Sequence, residues 1–430
     1  MLNTKALING LRSGAYDEKL GWLYCCPKEE AAPWAKRYIE ALEGLEKQFG
    51  TKEEAALFSA PGRTEIGGNH TDHQHGHVLA GSVNMDMVAA AAPNELGLLR
   101  MMSQGYEPFE IDLADLEKKP SEENSSAAIL RGSCAAYKER GAQLSGLDIY
   151  VISNVPKGSG VSSSAAFEVL TGTILNELFM PADKKQDPVQ IAQIGQWVEN
   201  VYFGKPCGLM DQMASSVGGV VGIDFADPSR PVVEQVDFDL ESAGLSLCLI
   251  DSGADHADLT DEYAAVPAEC KGIAQLCGAD VLREAGYELF LEKLPQLREQ
   301  LGDRAVLRAF HFYADDRRAV EELEALKAKN FELFLAIIDQ SGHSSWEYLQ
   351  NISPAGAVEQ QAVAVTIALA KELLGGRGAV RVHGGGFAGT VQAFVPLELV
   401  DSFLAGMDRV LGSGSSHRMS IRPVGGFRLA

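Results

Sequence analysis

Residues 149–168, IYVISNVPKGSGVSSSAAFE, place the tightest limit on what this chain can fold into. The β-branched and aromatic residues Ile149 to Ile152 read as a strand. The pattern breaks at Asn154 and Pro156 into Lys157, Gly158, Ser159 and Gly160, and three serines, Ser162, Ser163 and Ser164, open a helix. A strand, a loop of small residues and a helix start are the parts of a phosphate site. Glycines let the backbone approach a polyphosphate, the first amides of a helix have no partner within it, and the helix dipole favours negative charge there. A plain turn before an ordinary helix is the alternative. Three serines in succession weigh against it, because each hydroxyl can meet a phosphate or a hydrated metal and none helps a helix form.

Two common phosphate loops are excluded. The one Gly-Lys pair, Gly204 and Lys205, is followed by Pro206 rather than Ser or Thr, so there is no Walker loop. Ser163 stands where a dinucleotide fingerprint needs its third glycine. A second GxGxxG, Gly384 to Gly389, follows a strand (Ala379 to Val382) but leads into another, Thr390 to Val395, and reads as a tight loop closing over something. The helix before it carries the stripe Val358, Ala362, Val365, Leu369 and Leu373 and stops at Gly375 and Gly376.

At 430 residues and 46% hydrophobic content the chain is globular and long enough for two or three domains. A net charge of −22 argues against a nucleic-acid surface, so any phosphate must be met locally by amides, a metal or a fixed cation. Seven cysteines without CxxC spacing, and no signal peptide, point to a reducing cytoplasm. No apolar run approaches the roughly 18 residues that span a bilayer. The first 50 residues carry helix signals, with Pro33 near a start and Gly50 at an end, and no visible chemistry.

Ser59 to Asn84, SAPGRTEIGGNHTDHQHGHVLAGSVN, offers two readings. His70, His73, His75, His77 and Asp72 suggest a metal site. If the segment is extended, however, His73, His75 and His77 share one face while His70 points away, and no partner segment completes a ligand shell. Arg63, after Pro61 and Gly62, is a fixed cation suited to an anion or carboxylate. Short strands (MVAAAAP, GLLRMMS, FEIDL) and a helix from about Ser125 to Arg140 read as scaffold. Asp187 and Pro188 start a helix whose apolar stripe is Ile191, Ile194, Val198 and Val201, with Glu199 off the stripe. Asp211 falls near the next helix start, where an acidic residue is also a common cap.

In this order, APGR(x)₄GxxHTD, PKGSGVSSSAAFE, GKPCGLMDQ and VHGGGFAG resemble the GHMP small-molecule kinases, specifically the galactokinase branch, over about residues 47 to 430. The resemblance implies two α+β domains, 1–235 and 236–430. The first would resemble domain 2 of ribosomal protein S5, the second would be ferredoxin-like, and the active site would lie in the cleft between them. The turn-rich Asp224 to Pro231 suits such a boundary. It also implies Asp211 as the catalytic carboxylate at the anomeric hydroxyl, with Arg63 beside it. Lys157, Gly158, Ser159, Gly160, Ser162, Ser163 and Ser164 would hold ATP, Ser164 and Glu199 would hold Mg²⁺, and Asn69, His70, Asp72, Gly208 and Tyr263 would meet the sugar. The expected protein is a monomeric cytoplasmic sugar 1-kinase without nucleic-acid or membrane partners. The expected chemistry is electrostatic, since phosphoryl transfer needs positioning and charge stabilisation more than covalent help.

Departures from the family pattern surround the sugar. The usual Glu before His-Thr-Asp is Asn69, the usual Asn two positions after the Arg is Glu65, the Tyr after the Asp is His73, and an arginine-rich run is Val266, Pro267 and Ala268. An uncharged Asn69 makes a related sugar, such as a galactosamine derivative or a uronic acid, a rival to galactose. A silent sugar- and ATP-binding regulator, or a metal protein built on the histidines, are the alternatives from other classes.

Overall fold

The computed structural model describes residues 1–155, 160–205, 207–236, 238–254 and 259–430. Among them thirteen strands form two sheets. They are β1 (Leu2–Asn3), β2 (Glu54–Gly67), β3 (His77–Pro93), β4 (Leu98–Ser103), β5 (Phe109–Asp112), β6 (Leu147–Ser153), β7 (Val220–Asp224), β8 (Val232–Val236), β9 (Leu245–Asp251), β10 (Ala379–Val382), β11 (Thr390–Pro396), β12 (Ser416–Met419) and β13 (Phe427–Arg428). The larger sheet runs β1-β2-β3-β6-β4-β5, with β7 and β8 continuing from the far end of β3 and β13 joining β2. Only β4 and β6 pair in parallel. The smaller sheet is antiparallel, in the order β10-β11-β9-β12.

β3 shows why the large sheet takes helices on both faces. Val88, Ala90 and Ala92 turn one way and Met87, Ala89 and Ala91 the other, the period of two that a pleated strand imposes. The first set packs under the helices of residues 4–49, through Leu20, Tyr38 and Leu42. The first 50 residues therefore form a lid over one sheet face. The second set faces the helix Ser163–Phe179, whose Ala166, Val169 and Leu170 are buried in the main core. That core continues into the smaller sheet through Leu247, Leu249 and Phe394, so the two layers share one interior. Strand membership changes sheet between Val236 and Leu245, yet β13 returns to the first sheet at Ser59 and Phe58.

Asp86, on β3, locks these layers together. It is wholly buried and accepts from Tyr24 (2.6 Å), Arg37 (2.5 Å) and Arg422 (3.0 Å), joining the N-terminal lid and the C-terminal tail to the sheet.

Several sequence expectations change here. β2, which carries Arg63, shifts register between Pro61 and Arg63 and again between Glu65 and Gly67. Gly62 fits at the first shift because a Cβ there would lie 2.6 Å from the Val161 carbonyl. The helix before the second glycine cluster begins at Ala362, leaving Val358 outside it and Val365 exposed, while Val363, Ala364 and Ile367 are buried. An apolar helix of this kind reads equally well in two phases. Val201 is exposed because Glu199–Phe203 forms a π turn, which rotates the stripe and carries Glu199 inward.

Candidate active site

Arg63 lies where β2 shifts register, and its backbone N–H donates to the Val161 carbonyl at 3.0 Å. Its guanidinium grips Asp211 with two parallel bonds, Nε to Oδ1 at 2.7 Å and Nη2 to Oδ2 at 2.8 Å. Nη1 donates to the Gly160 carbonyl, and the Ser162 hydroxyl donates to Asp211 Oδ2. Ser162 adopts left-handed backbone, φ 55°, at the entry to the helix Ser163–Phe179. Its hydroxyl is thus turned away from capping that helix and toward the carboxylate. Asp211 sits in the first turn of the helix Met210–Val217. Burial pushes the Asp211 carboxyl up, but the charge and hydrogen bonds of Arg63 and the bond from Ser162 hold it below the usual range. Three segments remote in sequence therefore converge on one ionised carboxylate.

Lys157, Gly158 and Ser159 lie outside the described residues. Beyond them, Ser163 is half-buried and Ser164 exposed at the helix N-terminus. Both line a cavity of about 840 Å³ whose apolar walls include Phe109, Ile129, Val151 and Phe167 and whose polar end holds Glu168 and Glu199. Glu168 follows Ser164 by one helical turn on the same face. The Gln212 side-chain NH₂ donates to both acids, to Glu168 at 2.9 Å and to Glu199 at 2.8 Å. Burial and the neighbouring Glu199 push the Glu168 carboxyl well up. Its Oε1 is buried without a partner among the described residues.

Of the expected sugar residues, Asn69, His70 and Tyr263 meet the glycine loop 384–386, while Asp72 and Gly208 adjoin each other. His70, at φ 60°, donates through Nε2 to the Gly385 carbonyl at 3.0 Å, and burial lowers its imidazole pKa to about 4. Tyr263 donates to the Gly386 carbonyl at 2.9 Å. Gly208 lies so close to Asp72 that a Cβ there would come within 2.5 Å of its Oδ2. Asn69 is fully buried and its side chain is saturated: Nδ2 donates to Glu65 (2.8 Å) and the Gly384 carbonyl (2.7 Å), while Oδ1 accepts from Asn351 (2.9 Å) and Ser345 (3.3 Å). Those four bonds join β2, the 384–386 loop and residues 345–351 at Asn69. Glu65, beside it, pairs with the buried Arg381 at 2.7 Å.

The histidines do not converge. His73 is exposed and sits in a 3₁₀ turn, His75 is left-handed, and His77 pairs with Asp316 at 2.9 Å. Among the described residues no three His, Cys, Asp or Glu side chains are placed to share a metal ion. Sequence reasoning missed Glu168, Gln212 and His383. The last two lie inside the MDQ and VHGGGFAG motifs, so they were visible; Glu168 could have been found from its i+4 spacing to Ser164.

With this geometry in place, comparison with known proteins defines the class and then the family. The GHMP kinases N terminal domain matches residues 128–219, and the galactokinase galactose-binding signature matches residues 43–93. The fold is that of GHMP kinases. It superposes on Lactococcus lactis galactokinase complexed with galactose with a TM-score of 0.74 at 22% identity, covering 90% of this chain and 98% of that one. A mevalonate kinase structure aligns with a TM-score of 0.59 at 13% identity, covering 85% and 98%. In sequence the chain is 33% identical to galactokinase of Streptomyces coelicolor, over 84% of this chain and 89% of that protein, and 32% identical to that of Glaesserella parasuis, over 83% and 89%. The chain belongs to the galactokinase family and is an enzyme, a galactokinase-type sugar kinase. No helix among the described residues is long and apolar enough to cross a membrane.

Proposed function

We propose that this enzyme transfers the γ-phosphoryl group of ATP to the anomeric hydroxyl of galactose or a closely related sugar, giving the sugar 1-phosphate and ADP. The observation that carries the reading is the Arg63–Asp211 fork, bonded to Ser162 at the start of the helix whose Ser163 and Ser164 line the 840 Å³ cavity. Asp211, ionised at neutral pH, orients the sugar hydroxyl and receives its proton as the sugar oxygen bonds to phosphorus and the bond to the ADP oxygen breaks. Arg63 holds that carboxylate in place and adds positive charge where the transferring group is most negative. Gly160, the serines and the unpaired first amides of the helix suit the phosphates, with Lys157, Gly158 and Ser159 as further contacts. The apolar walls of the cavity suit a purine base.

Mg²⁺ fits the polar end of the cavity, where Ser164, Glu199 and the orphaned Glu168 Oε1 are hard oxygen donors of the kind this ion takes. Ser164 and Glu199 would hold it, and when bound it offsets phosphate charge. His70, Asp72, Gly208 and Tyr263 would line the sugar pocket, with Asn69 supporting the loop behind them. Both substrates are small and every residue assigned a role belongs to this chain, so the reading needs no partner; a cytoplasmic monomer is part of the proposal. Residues 1–235 and 236–430 serve as the two domains, with the tail returning to the first.

Because Asn69 is saturated by protein, galactose becomes the first choice over an amino sugar or a uronic acid. Measuring ATP consumption and kcat/KM for galactose, N-acetylgalactosamine, galacturonate and arabinose tests this. A clear preference for galactose supports the reading, and no turnover with any sugar overturns it.

A further inference from the structure

His383 directly follows β10, is 2% exposed and has none of the roles assigned so far. Its two ring nitrogens reach two different parts of the site. Nε2 lies 3.3 Å from the backbone N–H of Glu65 and 3.1 Å from the Thr64 hydroxyl. Nδ1 lies 3.0 Å from the Thr390 hydroxyl. On that same side stands Gly160, where a Cβ would come within 3.1 Å of Nδ1 and 3.0 Å of Thr390 Oγ1. One ring therefore touches the two residues that follow Arg63 and the glycine whose carbonyl Arg63 holds.

The hydrogen-bond roles follow from the partners. A backbone N–H can only donate, so Nε2 must accept. The Thr64 oxygen already accepts from Gln392 at 2.6 Å, which leaves its own proton for Nε2 as well. The ring proton then resides on Nδ1 and is donated to Thr390. Burial, with the Arg63 and Arg381 guanidiniums nearby, keeps the ring neutral by pushing its pKa well down. A charged ring would present Nε2–H to the Glu65 N–H and break the junction.

We propose that His383 is a positioning residue for phosphoryl transfer: a neutral imidazole, protonated on Nδ1, that sets Gly160 of the phosphate loop against the strand carrying Arg63. It does not meet the sugar, and its effect passes through Arg63 and the loop. Removing it loosens the ATP side of the site and leaves sugar binding in place.

The test combines a spectroscopic and a kinetic arm. ¹⁵N-histidine NMR of the parent without ATP, with the His383 ring signals assigned in the parent itself by through-bond correlation to its own backbone amide, should show the Nδ1–H tautomer at pH 7.5. An Nε2–H tautomer or a charged ring overturns the proposal, even if every variant fails to fold. In the kinetic arm, His383→Phe keeps the ring volume but loses both polar contacts. It should lower kcat about tenfold or more and raise the KM for ATP about fivefold, with the KM for sugar within about twofold. His383→Asn, which keeps a donor near the Nδ1 position, should recover most of the KM for ATP, whereas His383→Gln, which keeps only the acceptor side, should not. Equal effects on ATP and sugar, or no difference between the Asn and Gln variants, also overturn it. The inference rests on the phosphate reading, but the tautomer is read without nucleotide. A parent with the Nδ1–H tautomer and no ATP turnover would sink that reading and not the junction.

Discussion

Arg63 and Asp211, 148 residues apart in sequence, meet as a planar fork, with N–H···O distances of 2.7 and 2.8 Å to the two carboxylate oxygens. A lysine could supply the charge but not the two parallel donors. The fork fixes the plane of the carboxylate as well as its ionisation. An incoming hydroxyl therefore meets an acceptor of defined direction, which is most of what a general base in phosphoryl transfer has to offer.

The pH dependence of turnover follows from the same pair. The Asp211 carboxyl is held below its ordinary 3.8, so it is ionised at every pH above that and is protonated only as pH falls through the lower value. Turnover at saturating substrates should therefore show no acid limb from Asp211 between pH 9 and about 5.5. An acid limb in kcat with an apparent pKa near 6 would contradict the assignment.

Glu65 and Asn69 hold, in exchanged order, the acid and amide that the family pattern places the other way round. They bond to each other at 2.8 Å, and the Asn69 backbone N–H also donates to Asp315 at 2.8 Å. Asn69→Glu puts a second buried carboxylate against Glu65 and near Asp315, whose existing partners are Arg381 for Glu65 and Arg318 for Asp315. The expected loss is about 3–5 kcal/mol. Adding Glu65→Asn restores one acid and one amide and should recover at least about 1 kcal/mol of that loss. Urea melts of the two single variants and the double variant measure it, and strict additivity would show the exchange is not coupled.

How much of this was legible beforehand depends on distance along the chain. The strand Leu147–Ser153 and the helix Ser163–Phe179 could be read locally, as could the capped helix at Asp187 and the strand pair flanking the 384–389 loop, because each is set by neighbours in sequence. Arg63, Ser162 and Asp211 could be nominated by motif but not joined, since the register shifts in β2 that aim Arg63 depend on pairing with β3. The burial of Asn69 was invisible for a related reason. Asn69 stands in the turn just past the end of β2, where no period marks burial, and the helix Asp303–Lys327 that supplies Asp315 lies some 240 residues on. The inward turn of Glu199 needed the π turn, which has no simple period.

The metal reading makes a separate prediction. Ser164→Ala and Glu199→Gln should each raise the Mg²⁺ concentration for half-maximal rate, and each should weaken Mn²⁺ binding to the ATP complex as followed by electron paramagnetic resonance. Unchanged titrations in both variants would place the ligands elsewhere.

Asp86 predicts stability rather than rate. Asp86→Asn removes the charge facing Arg37 and the fully buried Arg422, leaving them without an anion. Breaking a buried pair from one side costs about 3–5 kcal/mol, and here it should also loosen the N-terminal lid and the C-terminal tail together. Urea denaturation followed by Trp22 and Trp34 fluorescence measures this, and a loss below about 1 kcal/mol would mean the cluster does not hold the layers.

The central claim is that Asp211, gripped by Arg63, serves the sugar hydroxyl in phosphoryl transfer from ATP. Its most direct test is the turnover of Asp211→Asn with saturating ATP, Mg²⁺ and galactose, alongside the Kd for ATP of the same variant. The variant should keep its fold and bind ATP within a few-fold of the parent, while kcat falls on the order of 10²-fold or more. Near-normal turnover in a folded, ATP-binding Asp211→Asn enzyme would contradict the account.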